Sequence, residues 1–295
     1  MADVDRSIPF VETHHHLWEL GRFPYGWLQD PGLPGHNAFI GDYKMLRQDW
    51  GPARLFREFY GQHVTKSVHV EADYSGPDPV EETAWLETVA AEYGMPNGIV
   101  AYTDLQQDGA EAELDRHLAA SDRVRGIRIR SHPSEPDAVF LRNYAALATR
   151  GLSYELNASP GGLLSGRDVA AANPDVQVIL GHTGNPLQRD PEYFDWWRRE
   201  ISALAEVPNV ACKISGLGMG DHAWTIDSIR PWVMHAIESF GTQRAMFATN
   251  WPVDVLFAPY IEQVDAYRVI IAEAGFNAAD QSRMLHGNAE RLYRI

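Results

Sequence analysis

Cys212 is the only cysteine in 295 residues. A single thiol excludes an internal disulfide and fits a reducing compartment, so the chain reads as cytoplasmic. Long apolar runs are missing as well: none approaches the roughly 18 residues that span a bilayer. The opening MADVDRSIPF has no basic stretch followed by an apolar one, the pattern of a secretory signal. Positive charge is scarce, with 25 Lys and Arg against 40 Asp and Glu, a net charge of −15. Proteins that neutralise phosphates need basic surface, so the charge argues against nucleic acid as a partner. No low-complexity segment or repeat interrupts the chain. No glycine-rich dinucleotide turn follows the first apolar run, which argues against an open nucleotide-binding sheet. What remains is a small-molecule substrate, with self-association as a homo-oligomer left open.

The composition, 45% hydrophobic and 22% charged, is that of a globular protein. Its organisation is alternation. Short apolar runs rich in β-branched residues lie near 10–16, 67–72, 98–105, 124–130, 152–158, 176–182, 210–215 and 245–252. Stretches of helical periodicity lie near 79–93, 110–120, 138–150, 166–172, 191–205, 225–240, 259–274 and 278–293. Strand–helix repetition implies parallel strands joined by crossover helices. Eight units in this length predict an α/β fold, a (β/α)8 TIM barrel filling residues 1–295 as one domain. One segment breaks the rhythm. Residues 17–63 separate the first two strands and are rich in Trp, Tyr, Phe, Gly and Pro. A loop of this length reads as a lid over the barrel mouth, with a short helix near 52–60. A packing arm or a dimer contact is the alternative reading. Trp18 in this segment and Trp251 after the eighth strand are candidates for a substrate wall.

Alternation along a strand puts His14 and His16 on one face and His15 on the other. Glu12 falls on the His14 face, deeper in the barrel. Two imidazoles at i and i+2 can grip one metal ion or one activated water. His182 ends the sixth strand, and so sits on the same rim, where barrel active sites lie. The fourth strand reads Ile127-Arg128-Ile129-Arg130, which turns both guanidiniums inward. They need carboxylates, Glu71 or Glu155, or a substrate anion. Arg130, nearer the rim, is the expected anion holder and Arg128 the structural one. Lys213 on the seventh strand points inward as well, with Cys212 turned to the helices. A glycine-rich loop then carries Asp221 and His222 over the mouth, although Asp221 can also cap the following helix. Asn250 stands at the end of the eighth strand, where a hydrolytic barrel wants a carboxylate. An amide is no general base at neutral pH. Asp254, four residues on, can reach back toward it.

Several segments together resemble one family. They are Thr13-His14-His15-His16-Leu17-Trp18, Gly181-His182-Thr183-Gly184, Lys213-Ile214-Ser215-Gly216-Leu217, Phe247-Ala248-Thr249-Asn250-Trp251-Pro252 and His286-Gly287-Asn288-Ala289. In this order the chain resembles the amidohydrolase superfamily, in particular the amidohydrolase-2 branch with its sugar lactonases and pyrone-dicarboxylate lactonases. The resemblance implies a barrel that opens a lactone or similar activated ester of a small anionic or polyhydroxylated substrate with water. It matches His14, His16 and His182 to the family's site histidines. These bind one divalent metal, zinc foremost, in some members, while some lactonases work without one. The family's eighth-strand aspartate aligns with Asn250, which leaves His222 or Asp254 for the proton. Its strand-four lysine is missing, which argues against a two-metal site. The expected catalytic set is therefore His182, His222, Asp254, Asn250 and Lys213, with Arg130, Arg128, Glu71, Trp18 and Trp251 around the substrate. Two other functions compete: metal-dependent non-oxidative decarboxylation of an aromatic acid, and ligand binding without turnover.

Overall fold

The computed structural model describes residues 4–295. Eight parallel strands form one sheet in sequential order. They are β1 (Phe10–His15), β2 (Val64–Val70), β3 (Gly98–Tyr102), β4 (Val124–Arg128), β5 (Ser153–Leu156), β6 (Val178–Leu180), β7 (Val210–Ile214) and β8 (Ala245–Phe247). The seam between β8 and β1 is joined beyond the end of β8. There His15 bridges Trp251, the His16 N–H donates to the Trp251 carbonyl at 2.7 Å, and the Thr13 hydroxyl donates to the Phe247 carbonyl at 2.8 Å. Six helices fill the crossovers from β2 to β8, α1 (Val80–Tyr93), α2 (Ala110–Ala120), α3 (Ala138–Thr149), α4 (Leu163–Ala172), α5 (Pro191–Ala205) and α6 (Ile226–Phe240), and α7 (Tyr260–Glu273) follows β8. The fold is the (β/α)8 barrel that the alternation predicts.

Local chemistry sets the helix starts. Asp137 and Asp190 accept the N–H groups of Phe140 and Tyr193, and Thr225 and Ser228 form a reciprocal capping box at α6. Asp221 supports that cap, accepting the Ser228 hydroxyl at 2.7 Å. The expected last helix is three pieces, Ala278–Ser282, a π-helical turn Arg283–Gly287, and Asn288–Tyr293. Its end packs Ala289, Leu292 and Tyr293 against Val11, Val68, Val70, Val100, Ile179, Ala211 and Met246 inside the barrel. The cylinder is thus closed at the N-terminal end of its strands and available to solvent only at the other.

Polar groups fill the barrel above this apolar plug. Lys213 is fully buried, its Nζ 3.1 and 3.0 Å from the two Glu155 oxygens, and the Tyr293 hydroxyl donates to the same carboxylate. Arg128 comes next, held by Glu71. The isoleucines beside it, Ile127 and Ile129, pack outward into the helix layer.

The strands end two to five residues earlier than the apolar runs suggest, except β1 and β7, which end within one. The missing residues turn out of the ladder into the mouth. β1 also departs from simple alternation. Glu12 pairs with Ser67 and His15 with His69, so three steps on β1 face two on β2, a bulge of one residue. The bulge resets the phase. Val11 faces the interior, and Glu12, expected inside beneath His14, instead meets the Thr249 hydroxyl at 2.7 Å and the Thr249 N–H at 3.1 Å.

Candidate active site

Residues from the open end of the barrel line a cavity of about 200 Å³. His16, Ala72, Asp73, Arg128, Asn157, His182, Asn185, Met219, Asn250 and Val253 come from the strand ends and their loops, and Trp27, Phe39 and Ile40 from the long insertion. Sites for drug-sized ligands run to roughly 300–1,000 Å³, so this one suits a small molecule. Backbone strain concentrates here. Seven described non-glycine residues have positive φ, and four of them line the cavity: Asp73 (+59°), His182 (+48°), Asn185 (+45°) and Asn250 (+56°). Each such residue costs on the order of 1–3 kcal/mol and persists only where surrounding structure enforces it.

The three histidines meet. His14 and His16 bring their Nε2 atoms to 3.2 Å, and the His14 and His182 ring centroids lie 4.2 Å apart. His16 Nδ1 lies 2.8 Å from the Val70 carbonyl, which can only accept. Nδ1 therefore carries the hydrogen, and Nε2 keeps its lone pair toward the cluster. His182 Nδ1 lies 3.0 Å from the Ser215 hydroxyl. Gly216 makes that approach feasible: a Cβ there would stand 2.7 Å from His182 Nδ1, on a backbone with φ of +65°. Burial drives the pKa of all three imidazoles down, helped by the cations around them. His16 falls to about 3. All three are neutral at pH 7, able to donate or accept hydrogen bonds without carrying charge.

Charge in the cavity is compensated. Arg128 Nε meets Glu71 at 2.6 Å and its Nη2 donates to the Glu71 carbonyl at 2.7 Å. Arg130 Nε lies 2.8 Å from Asp73, half-exposed at the rim over the Tyr102 ring. Asp73 is the only carboxylate among the lining residues, and its pKa is raised by desolvation and by Glu71, against the pull of both arginines. The sequence reading passed over Asp73. Its one signal is the phase of 71–73, two residues past Glu71, and alternation has no force once the strand ends at Val70.

The other expected residues take different places. Arg128, not Arg130, lines the cavity, because β4 stops at Arg128 and Arg130 leaves with the loop. Glu71 holds Arg128 from behind. Lys213 lies beneath, committed to Glu155. Trp18 is buried in the insertion, donating to the Gln48 carbonyl at 2.7 Å, and Trp251 packs on Trp50. His222 stays outside the lining. Its ring stacks on Phe257 and its Nε2 lies 3.1 Å from the Phe39 carbonyl, tying the insertion to the β7 loop. Asp254 is buried behind Asn250, which donates to it at 2.7 Å.

A parallel barrel with neutral imidazoles, a guanidinium and a carboxylate gathered at the C-terminal ends of its strands has the design of a hydrolytic barrel enzyme. The chain belongs to the amidohydrolase family, whose model matches residues 11–295, and it is a hydrolase of that family. It is 38% identical, over 98% of its length and 99% of the other, to an uncharacterized protein of Sinorhizobium fredii named y4mH. It is 27% identical to an L-fucono-1,5-lactonase of Burkholderia multivorans, covering 97% of this chain and 96% of that one. The crystal structure of a Burkholderia multivorans amidohydrolase with bound zinc superposes with a TM-score of 0.82 at 25% identity, covering 97% and 99% of the two chains.

Zinc in that relative makes a metal a question for this chain. The 3.2 Å between the His14 and His16 nitrogens suits two ligands each about 2.0–2.1 Å from one zinc. The set does not close around them. His182 tilts against the His14 ring with its Nδ1 at Ser215, and the eighth strand offers the Asn250 amide in place of a carboxylate. Among the described residues no three or more His, Cys, Asp or Glu side chains are placed to hold an ion. The residues as arranged do not make a complete metal site.

Proposed function

We propose that this enzyme hydrolyses the lactone of a small, neutral, polyhydroxylated acid. One observation carries the substrate choice: both guanidiniums at the mouth are already paired with carboxylates, Arg128 with Glu71 and Arg130 with Asp73. No lining cation is left over for a substrate carboxylate, so an anionic substrate would enter the cavity with its own charge uncompensated. Asn185, whose Oδ1 is buried with no partner, can accept from a substrate hydroxyl, and Trp27, Phe39 and Ile40 offer an apolar wall. The relatives that act on L-fucono-1,5-lactone and L-rhamnono-γ-lactone support the same choice.

The reaction follows from the groups present. A water oxygen attacks the lactone carbonyl carbon, and its proton passes to the Asp73 carboxylate, whose raised pKa favours acceptance. The carbonyl oxygen becomes an oxyanion facing the His182 imidazole. A Ser215 hydroxyl donating to Nδ1 leaves the His182 proton on Nε2, the nitrogen free for that oxyanion. Collapse breaks the ring C–O bond, and the leaving alkoxide takes the proton back from Asp73, giving the open hydroxy acid. Every step uses side chains of this chain. The insertion, whose Trp27, Phe39 and Ile40 form one wall, serves as the lid that excludes bulk water.

A panel of neutral 1,4- and 1,5-aldonolactones, followed by acid release, tests this reading, and elemental analysis of the same preparation supplies the metal content. Turnover of a neutral lactone, independent of zinc content, is the expected result. Replacing His182 with Asn is expected to lower kcat about 10²–10³-fold with the melting transition preserved. Carbon dioxide release from aromatic acids, or an inert enzyme on every lactone, overturns the proposal.

A further inference from the structure

Asn250 and Asp254 form a pair that the reaction above leaves unexplained. Asp254 is 5% exposed, and no cation forms an ion pair with it among the described residues. A buried carboxylate without a cation is expensive to keep, and a second amide would fill the same space at lower cost. Burial accordingly pushes its carboxyl up to about 7. It does not cap a helix either: no side chain caps the short turn Val253–Leu256 on which it sits. Its side-chain partner is the Asn250 amide, at 2.7 Å, and the Gly218 N–H donates to it as well.

The geometry fixes which way that amide faces. One Asn250 N–H points to Asp254 Oδ1, and the amide nitrogen lies 3.6 Å from Met219 Sδ, also an acceptor. Both neighbours of the nitrogen accept, so the carbonyl oxygen takes the opposite side, toward His16, with which the Asn250 side chain also hydrogen-bonds, and the cavity that both line. The backbone holds the arrangement: the N–H groups of Val253 and Asp254 donate to the Asn250 carbonyl at 2.8 and 3.3 Å, folding the turn back on itself. The left-handed φ of +56° at Asn250 aims the side chain inward.

We propose that Asp254 is a positioning residue, which by holding the Asn250 amide turns its carbonyl oxygen into the cavity to bind and orient the attacking water. The amide oxygen accepts a hydrogen bond from water as a carboxylate oxygen would, and the proton itself leaves to Asp73. The inference rests on the lactone-hydrolysis reading for its chemistry, though the amide orientation stands apart from it.

The test compares three variants on a lactone that the wild-type enzyme turns over. Asp254→Leu removes the acceptor at similar volume. It is expected to lower kcat about 10- to 100-fold with KM within about twofold, the signature of a misplaced water. Asp254→Asn keeps an acceptor oxygen and is expected to stay within about threefold of wild type, a rescue that mere packing does not predict. The reciprocal pair Asn250→Asp with Asp254→Asn reverses the hydrogen bond and points a carboxylate oxygen inward. It is expected to regain wild-type kcat and to acquire an acid limb in its pH profile. A folded Asp254→Leu enzyme with wild-type kcat overturns the proposal. So does an Asp254→Asn enzyme as inactive as the Leu variant alongside an inactive reciprocal pair. If Asp254→Leu fails to fold, the other two variants decide. If the wild-type enzyme opens no lactone, the reaction fails separately, and the Asn250 side-chain amide resonances decide the orientation. They shift between wild type and Asp254→Asn if the amide donates to residue 254, and stay unchanged if it does not.

Discussion

Removing Lys213 separates support of the barrel from catalysis. Its Nζ sits 3.0 and 3.1 Å from the two Glu155 oxygens, with neither residue more than 1% exposed. Replacing Lys213 with Met keeps the volume and deletes the charge. The Glu155 carboxylate then retains the Tyr293 hydroxyl as its donor. Breaking a buried pair by removing one partner typically costs about 3–5 kcal/mol. A second route limits the loss. The stranded carboxyl can take up a proton, which at pH 7 costs about 1.36 kcal/mol for each of the roughly 2.7 units above an unfolded glutamate's ordinary value, or about 3.7 kcal/mol. The expected loss is therefore about 3–4 kcal/mol at pH 7. A chain of 295 residues unfolds with an entropy of about 0.6 kcal/mol per kelvin, so the melting temperature should fall by about 5–6 °C.

The pH dependence carries the sharper test. In the variant, the folded protein binds a proton that the unfolded chain releases above its ordinary carboxyl range. Stability of the variant relative to wild type therefore recovers as pH falls, by about 1.4 kcal/mol per unit between pH 7 and 5. Urea denaturation of both proteins at pH 7 and pH 5.5 measures it. Adding Glu155→Gln removes the stranded charge and should restore stability to within about 1–2 kcal/mol of wild type at both pH values. Because Lys213 lies beneath the cavity and not in its lining, the double variant should also turn substrate over. A loss below 1 kcal/mol at pH 7, or a loss that does not change with pH, refutes the reasoning.

Two further perturbations test other parts of the structure. Gly41 has φ of +76°, and a Cβ there would stand 2.9 Å from His222 Cε1. Gly41→Ala should therefore push the insertion off its tether, raising KM severalfold with a smaller effect on kcat, as steady-state kinetics on the preferred lactone will show. His132 is buried between the Tyr154 hydroxyl at 3.0 Å and the Ser165 hydroxyl at 3.2 Å, and burial lowers its pKa to about 4. Its folded value is below the unfolded value of about 6.5, so the stability it contributes is full above pH 6.5 and is lost as pH falls toward 4. The stability advantage of wild type over His132→Asn should shrink by about 2 kcal/mol between pH 8 and pH 5, measured by chemical denaturation at each pH.

Much of this arrangement is legible in the sequence, and what is not has a physical pattern. Apolar runs and helical periods give the barrel because period two and period 3.6 survive wherever a face is buried. His14, His16 and His182 follow from the end of the strand on which each sits. Alternation correctly sends Arg128 inward and Ile127 outward. It fails at Glu12, where one extra residue in β1 reverses the phase, and no composition signal marks a bulge of ordinary residues. It fails again at Arg130, and it has no hold on His222 or Asp73, since all three lie beyond a strand's last ladder bond. There the direction of a side chain depends on backbone φ, and a left-handed aspartate at 73 cannot be told from a right-handed one by its neighbours in sequence. The wall formed by Phe39 and Ile40 depends on where a 47-residue insertion, 17–63, returns to the mouth, which local pattern does not encode.

The residues hardest to read are also the strained ones, and the fold accounts for that. A strand that continues straight past the rim carries its side chains alternately in and out, so at most every second residue can reach the cavity. A left-handed turn at the last position breaks that restriction and swings one polar side chain inward while the chain departs for its helix. Asp73, His182 and Asn250 each do this, on β2, β6 and β8. At about 1–3 kcal/mol apiece, three such residues put roughly 3–9 kcal/mol of strain into the mouth. That is comparable to the whole stability of many domains, about 5–15 kcal/mol. The apolar plug of Ala289, Leu292 and Tyr293 and the buried Lys213–Glu155 pair close the opposite end, where the left-handed residues are His63, before β2, and Arg294, after Tyr293. Five of the seven described left-handed non-glycine residues therefore lie at the mouth, away from the plug. Stabilising substitutions should be tolerated at the plug, while relief of strain at positions 73, 182 or 250 should stabilise the protein and cost turnover.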